Sequence, residues 1–201
     1  MTQSDWFARF KAQGPGYAGR RMSVAEVQAL LLKAGIGSGL PLGHAQDLSA
    51  LSHLLMSDPH LLGMAAAALD GPQHIPVIEG TDAHVVIEQA KVLMAGPMII
   101  DRLIAGAQRV VVQNLDWPLL LWPYLANAEA VYGVKFALNK GDRGVVMISL
   151  SDRAELDPIG EPQPVPDLVH DKLQQFAAKT YVPASEASRN AGAGAGLSDN
   201  D

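Results

Sequence analysis

The sequence predicts an α+β fold, with an N-terminal layer of helices packed on a small mixed sheet. Leucine-rich segments with helical spacing fill residues 23–69, whereas short runs of β-branched residues begin only at residue 85. Residues 91–150 then carry a strand, a turn with proline and a helix twice in succession, and they end in an alternating hairpin pattern. Helices that precede the strands are typical of α+β proteins.

The first helix of this layer is marked by its caps. Ser23 and Glu26 match a capping box, in which each side chain accepts a hydrogen bond from the backbone N–H of the other residue. Apolar residues at helical spacing predict a helix over residues 24–34 that ends at Gly35, since a helix C-terminus favours glycine. The glycine-rich residues 35–43 are predicted to form a loop.

Two more helices complete the layer, and the strands follow. A leucine stripe predicts the second helix over residues 43–57, and Asp58 is the predicted cap of the third helix, over residues 59–69. The first strand, at residues 85–87, is predicted to continue into residues 92–94. The later predicted elements are a helix over 97–106, a strand over 109–114, a helix over 118–131, and hairpin strands over 134–138 and 145–150.

The composition divides the chain into regions. Four prolines between residues 158 and 166 indicate an extended arm, and the alanine–glycine repeat near the C-terminus indicates disorder. The predicted regions are an N-terminal extension over 1–22, a single α+β domain over 23–150, a Pro-rich arm over 151–183 with a helix at 167–179, and a disordered tail over 184–201.

Charge and cysteine content restrict the classes of function. The net charge is −6, and Arg20 and Arg21 form the only adjacent basic pair, so no nucleic-acid partner is expected. The chain contains no cysteine, which excludes disulfides and thiolate catalysis and fits a cytoplasmic location. The strongest apolar run, residues 117–126, is shorter than the roughly 20 residues that span a bilayer, so no membrane partner is expected.

The N-terminal extension has two interpretations. Residues 4–12 predict a short helix that carries Trp6, Phe7 and Phe10. This helix either packs on the body of the protein or docks a partner or a membrane surface, although only two basic residues accompany its aromatic side chains.

The order of parts over residues 22–150 resembles a known family. It comprises the capped helix, the loop Gly35 to Gly43, a helix that opens His44-Ala45-Gln46-Asp47, paired proline-led helices and a terminal hairpin. This order is similar to a bacterial family known only as a domain of unknown function. In that family an acidic pair follows the alanine, where this chain has Gln46 and Asp47. The resemblance implies a bacterial α+β protein without an established activity.

His44 and Asp47 are candidates for acid–base chemistry. Three positions apart on a helix, they lie about 60° apart around its axis, whereas His53 points to the opposite side. Either His44 is a hydrogen-bonded histidine at the edge of the core, or it is a general base that Asp47 orients. The other histidines lie in separate segments, so neither a metal site nor a cofactor is predicted.

Gly37, Gly39 and Gly43 are candidate ligand-binding residues. The glycine pattern lacks the preceding strand of a dinucleotide site and the lysine of a P-loop. The glycines therefore either permit a tight reversal between two helices or let the free N–H groups of the second helix bind a carboxylate or phosphate.

The second repeat carries further candidates. Trp117, Trp122 and Tyr124 are expected in the core or an interface, with a ligand pocket as the alternative. Asp116 is predicted to cap the helix that follows it, and Asp101 to be solvated or paired with a basic residue. If either aspartate is buried, it becomes a better site candidate than the histidines.

These observations lead to two main hypotheses. The first is a non-catalytic cytoplasmic homo-oligomer that binds a small anionic metabolite or a partner protein. The second is a lyase, isomerase or hydrolase that uses His44 and Asp47, with its substrate held at the turn over 37–43. A third hypothesis is a purely structural subunit with no pocket.

Overall fold

Helices dominate the first part of the chain and the sheet follows. The computed structural model describes residues 3–12, 18–88, 91–140, 145–152 and 160–180. The helices are α1 Gln3–Lys11, α2 Val24–Ser38, α3 Leu42–Ala50, α4 Ser52–Ser57, α5 Pro59–Ala68, α6 Val92–Ile104, α7 Leu121–Tyr132 and α8 Asp167–Ala177. The strands are β1 Gly19–Arg20, β2 Val77–Gly80, β3 His84–Glu88, β4 Arg109–Gln113, β5 Lys135–Lys140, β6 Val146–Ser151 and β7 Val165–Pro166. Within these residues no helix is both long and apolar enough to cross a membrane.

Five strands form a mixed sheet in the order β2-β3-β4-β6-β5. Only β3 and β4 run parallel, with α6 between them in the chain, and every other neighbouring pair is antiparallel. Alternate side chains of the strands are buried on one face, where α6 and α7 pack. The α+β class and the small mixed sheet are confirmed, as is the pairing of β5 with β6; the turn at 141–144 lies outside the described residues.

The N-terminal helices reach the sheet through a middle layer. α3 packs on α6, and α4 packs on α7. On their other side α6 contacts β4 and β6, and α7 contacts β5. The predicted direct packing of the N-terminal layer on the sheet is therefore too simple. The two later helices separate the layers, and α3, α6 and α7 meet where the layers join.

The predicted N-terminal caps of the first and third helices are confirmed. Glu26 N–H donates to Ser23 Oγ at 3.2 Å, and Ser23 N–H donates to the Glu26 carboxylate at 2.7 Å. The N–H of His60 donates to Asp58 at 2.8 Å, so Asp58 caps α5 as predicted. The helix predicted over 43–57 is interrupted at Leu51, which separates α3 from α4.

The predicted end of the first helix is wrong. α2 continues through Gly35 and Gly37 and ends at Gly39, which has a φ of 95° in the left-handed region. A Cβ on Gly35 would lie 2.9 Å from that of Ala45, and one on Gly37 would lie 1.9 Å from the carbonyl oxygen of Phe176. These two glycines therefore permit close packing of α2 on α3 and α8, and only residues 39–41 of the predicted loop lie between the helices.

The predicted strand at residues 92–94 is also wrong. These residues form the first turn of α6, and Pro97 lies inside that helix rather than at its start. An apolar run that is buried on all sides has no period that separates helix from strand. Pro118, by contrast, opens a 3-10 turn directly before α7. The two prolines that aligned the predicted repeats thus occupy different places in their helices.

The core extends beyond residues 23–150 in both directions. On α1, Trp6, Phe7 and Phe10 are buried, and α1 packs on α5 as the first interpretation expected. α8 lies where the helix at 167–179 was predicted and packs along α2, with Leu173 and Phe176 buried. Both helices belong to the same hydrophobic cluster as the central helices. The tail predicted over 184–201 lies outside the described residues.

The apolar segment over residues 117–122, whose tryptophans were expected in the core or an interface, is largely internal. Leu120 and Leu121 are buried and Trp122 is half-buried, which leaves Leu119 as the exposed leucine of this segment. Homo-oligomer formation stays a prediction.

Candidate functional site

A cleft of about 240 Å³ lies where α3, α6 and α7 meet. Each helix contributes polar side chains to it: Asp47 from α3, Asp101 from α6, and Tyr124, Asn127 and Tyr132 from α7. Apolar side chains complete the walls, including Leu51, Pro97, Ile100 and Val131. A concave, partly apolar site with a few converging polar groups is the usual form of a small-molecule site.

The α7 wall follows from helical geometry. Tyr124, Asn127, Ala128, Val131 and Tyr132 are spaced as i, i+3, i+4, i+7 and i+8, so they form a single stripe along the helix. Two tyrosines and an asparagine on this stripe make it more polar than a core face. This spacing is the one sequence signal that indicates the cleft, and none of the predictions above includes it.

The two carboxylates of the cleft form no ion pair with the described residues. Among the described residues, neither carboxylate group forms a hydrogen bond or an ion pair, and both residues are accessible to solvent. Partial burial raises the pKa of Asp47; the charge of His44 opposes this shift, and the negative charge of Asp101 adds to it. The cleft therefore carries two negatively charged side chains that no ion pair within the described residues neutralises.

The hydroxyl of Tyr124 is a buried polar group without a protein partner. The residue is only 3% exposed, and its hydroxyl oxygen forms no hydrogen bond with the described residues. Burial raises the pKa of Tyr124 strongly, and the nearby negative charge of Asp47 raises it further. An unpaired hydroxyl of this kind costs stability and calls for a functional explanation.

The position of the tyrosine ring depends on a glycine. A Cβ on Gly96 of α6 would lie 2.7 Å from the ring of Tyr124, closer than any real contact. The absence of a side chain at Gly96 lets α7 bring Tyr124 against α6. α6 in turn contributes Asp101 to the lining of the same cleft, and Asp101 is exposed, in agreement with the prediction that it is solvated.

The predicted pair of His44 and Asp47 is close but not hydrogen-bonded. The charge of His44 influences the pKa of Asp47, yet the Nε2 atom of His44 is buried and has no hydrogen-bond partner among the described residues. His44 is also absent from the lining of the cleft, whereas Asp47 is part of it. The residues that meet Asp47 across the cleft are Asp101 and Tyr124.

The predicted ligand-binding glycines are separated by the structure. Gly37 packs on the backbone of Phe176, and Gly39 ends α2. Gly43 lies in the first turn of α3, which has no side-chain cap at its N-terminus. None of the three lines the cleft.

Asp116 caps a different helix from the one predicted. Its Oδ1 accepts the N–H of Val92 at 2.6 Å, at the start of α6, and Lys91 lies 3.3 Å from its Oδ2. Trp117, which follows it, packs edge-on against Phe7 at 4.7 Å between ring centroids. Asp116 and Trp117 are therefore structural, and Tyr124 is the aromatic candidate that lines the cleft.

No group of three or more histidine, aspartate or glutamate side chains in the described residues is arranged to hold a metal ion. No protein-family model, curated protein or solved structure gives a significant match to this chain. The resemblance to a bacterial family stays a prediction, and the function has to be argued from the cleft.

Proposed function

We propose that the protein binds a small organic molecule in the cleft formed by α3, α6 and α7, and that binding rather than catalysis is its role. The observation that carries this proposal is the buried hydroxyl of Tyr124, which has no partner among the described residues and belongs to the lining of a cleft. A fold selected for stability alone would favour phenylalanine at this position, because an unpaired buried hydroxyl is costly.

The carboxylates support the same proposal. Asp47 and Asp101 converge from two helices without a cation between them, an arrangement that weakens the folded state through mutual repulsion. Polar groups that reduce stability without a structural benefit are typical of functional sites. A bound ligand that pairs with them would offset this cost.

The cleft does not suit the anionic metabolite expected from the sequence. The charged side chains that line it are the two carboxylates, and no lysine, arginine or histidine belongs to the lining. An anionic ligand would meet repulsion from both sides. We therefore do not propose an anionic ligand for this cleft.

An acid–base enzyme is the second candidate, and the raised pKa of Asp47 favours it. Two carboxylates in one cleft can divide the roles of general acid and general base, and burial raises the pKa of Asp47. In this version Asp47 is the acid and Asp101 the base of a lyase, isomerase or hydrolase. His44 would act on Asp47 through its charge.

A thermal-shift screen tests the proposal. Metabolites grouped by charge and size are tested against the wild type, Asp47→Asn, Tyr124→Phe and the control Asp82→Asn, which makes the same change on the exposed turn before β3. A ligand at about 100 times its Kd adds roughly 2.7 kcal/mol to the free energy of unfolding. At about 2–4 °C per kcal/mol, this raises the melting temperature by about 5–11 °C.

An increase in melting temperature that is lost in Asp47→Asn and in Tyr124→Phe, and kept in Asp82→Asn, supports the cleft as the binding site. Shifts that persist in both cleft variants contradict it. Conversion of a hit into product by the wild type, with loss of turnover in Asp47→Asn, would favour the enzyme over the binding protein.

A further inference from the structure

The free hydrogen-bonding groups of the cleft are mainly acceptors. An ionised carboxylate accepts hydrogen bonds and donates none. Asp47 and Asp101 contribute two such groups, and the hydroxyl oxygen of Tyr124 has free lone pairs as well. A ligand that satisfies these acceptors presents several N–H or O–H donors from one end, and it can also accept a hydrogen bond from the Tyr124 O–H.

The negative charge of the cleft favours a positively charged donor group on the ligand. Elsewhere in this fold, lysines accompany partly buried acids: Lys91 lies 3.3 Å from Asp116, and Lys172 lies 2.9 Å from Asp70. The cleft carboxylates lack such a partner within the described residues. A positively charged group placed between them would be attracted by both, and the partial desolvation of Asp47 strengthens the attraction to that side chain.

The walls indicate an apolar body behind the charged group. Leu51, Pro97, Ile100 and Val131 line the cleft, and the half-exposed ring of Tyr132 stands beside them. Aliphatic walls favour hydrocarbon, and an aromatic ring attracts a cation through its π-face. The cleft therefore combines an acidic end with walls that suit an alkyl or aryl group.

A metal ion fits less well. Calcium takes about six to eight oxygen ligands and magnesium demands near-ideal octahedral geometry. The described residues bring two carboxylates to the cleft and no third acidic or histidine ligand. A neutral polyol would supply donors but would leave both negative charges uncompensated.

We infer that the ligand of this cleft is an organic cation, in which an ammonium or guanidinium group on an apolar body binds between Asp47 and Asp101 and donates to the hydroxyl oxygen of Tyr124. This inference rests on the proposed function and adds the chemical class of the ligand. It replaces the anion expected from the sequence with a ligand of opposite charge.

Isothermal titration calorimetry with three probes tests the inference. Each probe carries a phenyl ring on a two-carbon chain: phenethylamine is the cation, 2-phenylethanol the neutral analogue and phenylacetate the anion. The proteins are the wild type, Asp47→Asn, Asp101→Asn, Tyr124→Phe and the control Asp82→Asn, each with its fold verified by circular dichroism. Calcium chloride is titrated in parallel.

Phenethylamine is expected to bind the wild type and Asp82→Asn equally, and to bind either cleft aspartate variant about tenfold more weakly, since each substitution removes one of two attracting charges. The alcohol should bind the wild type more weakly than the amine by a similar factor, and phenylacetate should bind least.

Other results overturn the inference in distinguishable ways. Equal affinity for the alcohol and the amine, with both reduced in Tyr124→Phe, would remove the requirement for a cation and leave the proposed function standing. Calcium that binds more tightly than the amine and depends on Asp47 and Asp101 would identify a metal site instead. Absence of binding by all three probes, or binding that no cleft substitution reduces, would contradict both the inference and the proposed function.

Discussion

Asp116 caps a helix that precedes it in the chain: its Oδ1 accepts the N–H of Val92, 24 residues earlier, at 2.6 Å. Val92 is the first residue of α6, whose backbone has no other side-chain cap at this end, and Lys91 pairs with the same carboxylate. The loop after β4 thereby holds the start of the helix that precedes β4. Since α6 carries Asp101, this contact also supports one wall of the cleft.

Asp116→Ala is expected to lower the free energy of unfolding by about 1–2 kcal/mol, because the Val92 N–H loses its acceptor. Asp116→Asn keeps an acceptor oxygen. Burial raises the pKa of Asp116, so the neutral side chain also avoids the cost of a desolvated charge. Urea denaturation should place Asp116→Asn close to the wild type. Equal stability of all three proteins would show that the cap contributes nothing.

Gly37→Ala is expected to destabilise the protein by about 1–3 kcal/mol through overpacking. The new Cβ would overlap the backbone carbonyl of Phe176, which cannot move without displacing α8. Gly43→Ala is the matched control, because no atom lies within 4 Å of its Cβ position. This second change should leave stability unchanged or raise it by up to about 1 kcal/mol. Calorimetric melting of both variants would compare them, and a Gly37→Ala protein as stable as Gly43→Ala would refute the packing role.

Tyr124→Phe is expected to change stability and ligand binding in opposite directions. Removal of a buried hydroxyl that lacks a protein partner should raise the free energy of unfolding of the free protein by about 1 kcal/mol. The same change should weaken the binding of any ligand found in the cleft. Denaturation without ligand and calorimetric titration with it provide the two measurements. A less stable variant with unchanged affinity would mean that the hydroxyl serves the fold.

Asp47 should make the protein less stable as pH rises. Its pKa in the folded state is raised by burial, so above the ordinary value of 3.8 the unfolded chain releases this proton before the folded protein does. Relative to Asp47→Asn, the wild type should therefore lose stability from about pH 3.8 upward, and the difference should level off above the raised pKa. His44, Asp101 and Tyr124 are the ionisable groups that interact with it.

Asp70 provides a control, because its effect on stability is expected to change with pH in the opposite direction. The hydrogen bond from Lys172 lowers the pKa of Asp70, so its contribution to stability is present above pH 3.8 and is lost as pH falls through the lowered value. Asp70→Asn should thus become less stable than the wild type as pH rises, whereas Asp47→Asn becomes more stable. Denaturant titrations that extend from neutral pH to well below pH 3.8 would measure both, and parallel curves for the two variants would contradict the assignment.

Local rules of the sequence predicted a large part of the fold. Ser23 with Glu26 and Asp58 with His60 are close along the chain, so their hydrogen bonds depend on no other part of the molecule. The predicted helix at 167–179 likewise follows from apolar spacing, and the alternation of the last two strands predicted their pairing. Such contacts form within one turn or one hairpin, where residue type and spacing are sufficient.

The errors lie where a distant segment decides a local conformation. Residues 92–94 could form a strand or a helix, and the cap from Asp116 accompanies the helix. Gly35 and Gly37 could end a helix or let it pack closely, and the positions of Ala45 and Phe176 favour close packing. In each case the local pattern permitted two backbone conformations of similar free energy.

The sequence by itself determined the α+β class, the caps of the N-terminal helices, the hairpin pairing and Asp47 as a candidate residue. Only the tertiary structure decided which groups Asp47 faces. Asp101 and Tyr124 come from helices far along the chain, and Gly96 permits the close approach of α6 and α7 that brings Tyr124 to the cleft. The physical reason is that a cap or a hairpin depends on neighbours in sequence, whereas the charge and hydrogen-bonding character of a cleft depends on how whole helices pack.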